Sequence, residues 1–170
     1  MPFIAVIAKE NDSNFIKNSI VKNTKNSIFE IININEKNIE NMKNVKFDIV
    51  IIDEKIDDFL ERSNYISNII NSSKYVIVNS DIIKEYEFVN SSVVNMITYG
   101  LNKKADFTIS SVKDSTVLAC LQKPIRKINN EILEEQEFDI IIKRNNLKKI
   151  HNMLPIFIVL CIYGNFLKKI

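Results

Sequence analysis

The 170-residue sequence predicts an α/β fold, in which a mainly parallel sheet flanked by helices is followed by an antiparallel β-meander and a closing helix. Up to residue 101, short continuous apolar runs alternate with segments of helical periodicity. Strands that are apolar on both faces are typical of parallel sheets covered by helices. From 105 to 143, strand-like segments follow one another without helices between them, which favours a meander.

The parallel part is predicted from five apolar runs, at residues 3–7, 28–32, 47–52, 75–78 and 93–98. Three amphipathic helices are predicted between the first four runs, at 15–22, 35–46 and 57–71. Asn11, Asp12 and Ser13 follow the first strand, and we interpret them as a polar turn that offers candidate helix N-caps.

Three further runs, at 106–112, 117–122 and 137–142, predict the strands of the meander. The closing helix is predicted at 151–167, bent or broken near Pro155 because proline lacks an amide hydrogen. No repeat or linker divides the chain. We therefore predict one domain over 1–170, with a parallel part at 1–101, a meander at 105–143 and the closing helix at 151–167.

Composition excludes several classes of function. The chain has 23 basic and 21 acidic residues and a net charge of +2, so no nucleic-acid footprint is indicated. The most apolar run, 153–163, is shorter than the ~18 to 20 residues of a membrane-spanning helix. The N-terminus lacks the basic and apolar regions of a signal peptide. We predict a cytoplasmic protein that binds no nucleic acid and spans no membrane.

The chain contains two cysteines, Cys120 and Cys161, and a single histidine, His151. Without a secretory signal, the cysteines are predicted to be buried, reduced thiols. No two of these three residues form a close pair in the sequence. A cysteine–histidine catalytic pair or a metal site built from them is therefore not indicated.

Five short motifs occur in a fixed order: FDIVII at 47–52, VIVNSD at 76–81, ITYGL at 97–101, AD at 105–106 and HNML at 151–154. Together they resemble the central, ATP-binding domain of the Mur ligases, the ATP-dependent bacterial enzymes that add amino acids to cell-wall peptidoglycan precursors. The resemblance covers about 47–164. It implies that the parallel part is P-loop-like.

The resemblance also implies where ATP and Mg²⁺ would bind. Six residues would contact the nucleotide: Lys9, Ser13, Asn79, Asp81, His151 and Asn152. Asp53 and Glu54 would hold a hydrated Mg²⁺, because this ion prefers oxygen ligands. Two plainer interpretations remain open. The acidic pair can simply face solvent, and His151 or Asn152 can cap the last helix.

The chain departs from the family pattern where that pattern carries chemistry. No glycine occurs in 8–14, although a glycine-rich loop is what cradles phosphates with its backbone N–H groups. Asp12 falls where the family has its phosphate-binding lysine, and a carboxylate ~4 Å from a phosphate charge costs about 4 kcal/mol at an effective dielectric near 20. Phe59 replaces the family's metal-side histidine, and no lysine lies between Lys55 and Lys74.

These departures predict a non-catalytic Mur-ligase-like domain, a pseudoenzyme that needs no cofactor and serves as a binding or assembly module. An unknown protein partner or self-association at an exposed sheet edge is expected. One alternative is the ATP-binding component of a peptidoglycan-type amino-acid ligase. Another is a small-molecule sensor that uses the crevice at the carboxyl ends of the strands, lined by Asp53, Glu54, Asn79 and Asp81.

Overall fold

A computed structural model describes residues 1–24, 29–54, 63–82, 93–113, 116–141 and 150–164. These ranges contain ten strands and four helices. In chain order they are β1 (Phe3–Ile7), α1 (Glu10–Asn23), β2 (Glu30–Asn33), α2 (Ile39–Met42), β3 (Ile49–Ile52), α3 (Ser63–Asn71), β4 (Tyr75–Asn79), β5 (Asn95–Tyr99), β6 (Phe107–Lys113), β7 (Thr116–Leu121), β8 (Ile125–Arg126), β9 (Ile132–Leu133), β10 (Gln136–Ile141) and α4 (Ile150–Ile162).

Eight of the strands form one sheet in the order β10-β7-β6-β5-β4-β3-β1-β2, and β8 pairs with β9 in a separate two-stranded sheet. Strands β2, β1, β3, β4 and β5 are parallel, and β6 joins β5 in the same direction. The pairs β6–β7 and β7–β10 are antiparallel. The predicted α/β class, with a mainly parallel sheet and a following meander, is confirmed.

The parallel strands are apolar on both faces because each face packs on its own core. On β3, Ile49 and Ile51 belong to a core that includes residues of α1 and α4. The alternate residues Val50 and Ile52 belong to a second core, which includes residues of α2 and α3. Successive side chains of a strand point to opposite faces, so a continuous apolar run is what this two-sided packing requires.

Helix α4 explains the most apolar run of the sequence. Every residue from Asn152 to Ile162 is buried, and the helix packs on α1 and on the sheet. The helix was predicted to be bent or broken near Pro155, and a break is wrong, since α4 continues through this residue. Proline removes one backbone hydrogen bond here, while the turns around it are held by core packing. Within the described residues, no helix combines the length and apolar character needed to cross a membrane.

Helix α1 begins earlier than predicted. Its N-cap is Lys9, whose side chain makes no capping hydrogen bond, and Asn11, Asp12 and Ser13 lie inside the first turn rather than in a preceding turn. Acidic Glu10 and Asp12 favour this start electrostatically, because negative charge near a helix N-terminus is stabilising.

The bounds of one further helix differ from the prediction. The predicted helix at 35–46 contracts to α2, since Asn38 accepts a hydrogen bond from the Asn35 backbone and donates to the Asn33 carbonyl, which favours a turn. Residue 28 of the predicted second strand lies outside the described residues. So do 57–62 of the third predicted helix, together with Lys55 and Phe59. The β8–β9 hairpin was not predicted.

Candidate functional site

Polar side chains gather where β3, β4 and β5 end, at the carboxyl edge of the sheet. Asp53 follows β3, Asn79 ends β4 and Tyr99 ends β5. One oxygen of Asp53, Oδ1, accepts hydrogen bonds from the Tyr99 hydroxyl at 2.7 Å and from Asn79 Nδ2 at 2.5 Å. The Tyr99 side chain is completely buried. Asp53 is half-buried, and two neighbouring strands donate hydrogen bonds to its carboxylate.

Burial controls the protonation of this pair. It raises the pKa of Asp53, and the hydrogen bonds from Asn79 and Tyr99 offset only part of that effect. Burial and the adjacent Asp53 charge raise the pKa of Tyr99 well above its usual value. Tyr99 is consequently a neutral hydrogen-bond donor to Asp53 at physiological pH.

Asp81 holds the turn that follows β5. Its carboxylate accepts from the Leu101 backbone at 2.6 Å, from the Asn102 backbone at 3.1 Å and from Asn102 Nδ2 at 2.7 Å. A Cβ atom on Gly100 would lie 2.7 Å from Asp81 Oδ1. Burial acts to raise the pKa of Asp81, but these hydrogen bonds outweigh it and the pKa is lowered. Gly100 is thus required by the close approach of the Asp81 carboxylate.

Hydrogen bonds between Thr98 and Asp106 connect the ITYG and AD motifs. Asp106 Oδ2 accepts from the Thr98 backbone at 2.9 Å and from the Thr98 hydroxyl at 2.8 Å. The Asp106 backbone donates to the same hydroxyl at 2.9 Å. These reciprocal hydrogen bonds join the end of β5 to the residue that precedes β6. Their role in the described structure is to connect the parallel part to the meander.

The first turn of α4 is attached to the same edge by two polar contacts. His151 Nε2 lies 3.2 Å from Asp81 Oδ2, and Asn152 Nδ2 donates to Asp12 Oδ1 of α1 at 2.5 Å. The amide of Asn152 therefore bonds to another helix rather than capping its own. One oxygen of Asp12, Oδ1, is engaged by this contact.

The remaining predicted residues, Lys9, Ser13 and Glu54, line a separate cleft of about 860 Å³. It opens at the carboxyl ends of β1, β2 and β3. Because β2 and β3 lie on opposite sides of β1, this is the topological switch point of the sheet, where doubly wound folds bind ligands. The other lining residues are Ala8, Glu10, Asn14, Asn33, Ile34, Asn35, Glu36 and Lys37.

Within this cleft, sequence reasoning missed Asn33. Its Nδ2 donates to Asn14 Oδ1 at 3.2 Å, whereas its buried Oδ1 has no hydrogen-bond partner among the described residues. Ser13 is 2% exposed and donates to the Glu10 carbonyl, so its hydroxyl is already used. Asn33 ends β2, and a polar residue at a strand end is the signal that could have identified it.

The first turn of α1 and the residues after β3 carry acidic side chains where the resemblance implies ATP and Mg²⁺. Two carboxylates, Glu10 and Asp12, occupy the first turn of α1, where the phosphates would need positive charge. Asp53 is hydrogen-bonded in the network, whereas Glu54 lines the cleft. Across the described ranges, no three His, Cys, Asp or Glu side chains are grouped so that they could hold a metal ion.

Neither a protein-family model nor a curated protein sequence matches the chain.

Proposed function

We propose that the chain is a non-catalytic Mur-ligase-like domain that serves as a binding or assembly module. One observation supports this proposal above the others. At the carboxyl edge, the groups that an ATP-dependent ligase would direct at its ligands are hydrogen-bonded to one another. Asp53 bonds to Asn79 and Tyr99, and Asp12 bonds to Asn152.

Charge at the start of α1 supports the same conclusion. A helix N-terminus attracts anions, but here the side chains of Glu10 and Asp12 already complement its partial positive charge. The backbone of this turn is also engaged, since the Lys9 carbonyl accepts from the amides of Asp12 and Ser13 at 2.9 and 2.8 Å. A triphosphate placed here meets two carboxylates and an ordinary helical turn.

The edge strand β10 indicates which kind of partner the chain can bind. Strand β10 forms one edge and carries exposed Glu137 and Asp139. Charged side chains on an edge strand discourage pairing of one edge with another. We therefore favour a different protein as the partner over a second copy joined through β10. Light scattering of the purified chain should give a monomer mass, and a dimer that Glu137→Thr strengthens would contradict this preference.

Isothermal titration with Mg·ATP tests the absence of nucleotide binding. We expect no saturable heat, because the phosphate position is acidic and internally bonded. Asp12→Lys restores the charge that the resemblance implies and serves as the comparison, while Lys22→Gln at the far end of α1 is the control. Micromolar binding of Mg·ATP to the unmodified chain would refute the proposal and favour the ligase alternative.

A small-molecule sensor is the second candidate, favoured by the cleft at the switch point and by the unpartnered Asn33 Oδ1 inside it. A thermal-shift screen against nucleosides, nucleotides and cell-wall precursors tests it. A ligand at a hundredfold its dissociation constant adds about 2.7 kcal/mol of stability. The stabilisation should weaken in Asn33→Asp, which has the same shape. A screen without any stabilising compound would remove the basis for this candidate.

A further inference from the structure

A second pocket lies at the opposite end of the sheet from the polar network, where β4 and β5 begin. Its volume is about 360 Å³. Tyr75 and Asn95 are the first residues of β4 and β5, and the segment 123–126, which ends in β8, forms the facing side. None of the motifs discussed above requires a cavity here, and the proposed function does not use it.

The inner part of this amino-end pocket is apolar. Val94, Ile97 and Ile125 are each 4% exposed and line it together with Met96 and Pro124. Val94 and Met96 belong to the second core, whereas Ile97 and Ile125 belong to the first, and Pro124 precedes β8. A ligand that enters the pocket must therefore present an apolar body to bury.

The charged part of the pocket has one cation that is not paired. Lys123 Nζ lies 2.6 Å from Asp106 Oδ1, so the charge of Lys123 is paired with that carboxylate, whose other oxygen accepts from Thr98. Arg126 is exposed and forms no ion pair with any residue in the described ranges. The pocket therefore keeps a net positive charge carried by Arg126.

Arg126 and Tyr75 both line the pocket. Burial raises the pKa of Tyr75, and the positive charges of Arg126 and Lys74 offset part of this effect. Lys74 is paired with Asp48 at 2.6 Å. Of these two cations, Arg126 is the one without a carboxylate partner in the described structure.

We propose that the amino-end pocket binds a small amphipathic carboxylate, with its anionic group on Arg126 and its apolar body against Ile97 and Ile125. A guanidinium presents donors in a planar fork that matches a carboxylate in two parallel hydrogen bonds. The volume lies within the range of small-molecule sites. The apolar wall selects against a purely ionic ligand such as inorganic phosphate.

An NMR titration of the uniformly ¹⁵N-labelled full chain tests the site with phenylacetate, its neutral isostere phenylacetamide and inorganic phosphate. We expect saturable shifts at the amides of Asn95, Met96 and Arg126 with phenylacetate. Phenylacetamide should bind more weakly by about tenfold or more, because it lacks the charged hydrogen bonds to Arg126. Phosphate should produce no saturable shift at these amides.

Arg126→Gln removes the charge from an exposed position and should weaken phenylacetate binding about tenfold or more without lowering the melting temperature. Lys22→Gln, at the end of α1, is the control and should bind as the unmodified chain does. The proposal is overturned if phenylacetate gives no saturable shift, if phenylacetamide binds equally well, or if the two variants lose affinity alike. Comparing the two ligands on the unmodified chain decides the matter even if Arg126→Gln fails to fold.

Discussion

The carboxyl edge of the sheet has two halves that differ in how their polar groups are satisfied. At the ends of β3, β4 and β5, Asp53, Asn79, Asp81 and Tyr99 bond to one another or to the following turn. At the ends of β1 and β2, a cleft of about 860 Å³ stays open and the buried Asn33 Oδ1 has no partner among the described residues. The same edge thus has one half suited to holding the fold together and one half suited to a ligand. The predictions below test whether this division is real.

The largest effect is expected at Gly100. Gly100→Ala would place a Cβ atom 2.7 Å from Asp81 Oδ1, so the carboxylate must move away from Leu101 and Asn102. We expect a loss of about 3 kcal/mol of unfolding free energy, measured in urea, because hydrogen bonds to a charged group are lost. In an Asp81→Ala background the same substitution should cost much less. Equal costs in both backgrounds would show that the carboxylate is not the reason for the glycine.

Removing the buried hydroxyl of Tyr99 should have the next largest effect. Tyr99→Phe leaves the Asp53 carboxylate with one fewer donor in a buried site. We expect about 2 kcal/mol of destabilisation in urea unfolding, since a buried charged acceptor loses a partner. Tyr65→Phe on α3, whose half-buried ring packs on the second core, is the matched control. A cost no larger than that of the control would contradict the role of the hydroxyl.

The contact between α4 and α1 should contribute less, because Asp12 is only half-buried. Asn152→Ala and Asp12→Ala remove the two sides of the 2.5 Å hydrogen bond. A double-mutant cycle should give a coupling free energy of about 1 kcal/mol. A coupling near zero would mean that the contact does not attach the two helices and that Asp12 is available to other partners.

The contributions of Asp53 and Asp81 to stability should depend on pH in opposite ways. The pKa of Asp53 is raised from the usual 3.8, whereas that of Asp81 is lowered. A carboxylate with a raised native pKa binds protons more readily when folded, so its contribution to stability falls as pH rises just above 3.8. The lowered pKa of Asp81 gives a contribution that is present above 3.8 and is lost as pH falls below it.

Urea unfolding between pH 3 and 7 measures both contributions. Relative to the unmodified chain, Asp53→Asn should gain stability as pH rises above 3.8, whereas Asp81→Asn should lose it as pH rises from 3. A stability difference that is independent of pH in either variant would contradict the corresponding shift.

The smallest effect is expected in the open half of the edge. Lys9→Gln changes a cleft residue whose side chain makes no capping hydrogen bond to α1. Its unfolding free energy should stay within about 0.5 kcal/mol of the unmodified value, as for most surface substitutions. A cost as large as that of Tyr99→Phe would mean that the cleft is a structural region as well.

Much of the fold could be predicted because β3 and β4 are apolar on both faces, which only a covered parallel sheet requires. The start of α1 could not, since its first turn is polar and no side chain caps it. Strand ends indicated Asp53, Asn79 and Asp81 as site residues. The contacts themselves could not be predicted, because they join positions far apart in the sequence. Tyr99 meets Asp53 across 46 positions and Asn152 meets Asp12 across 140, so each contact depends on the order of elements in space.

A crystal structure after soaking with Mg·ATP tests the central claim most directly, because it shows the first turn of α1 and the polar network together. The account predicts no triphosphate above 9–13, with Asn152 still donating to Asp12 and Tyr99 still donating to Asp53. A triphosphate bound over that turn, with the Asn152 amide displaced from Asp12, would contradict it.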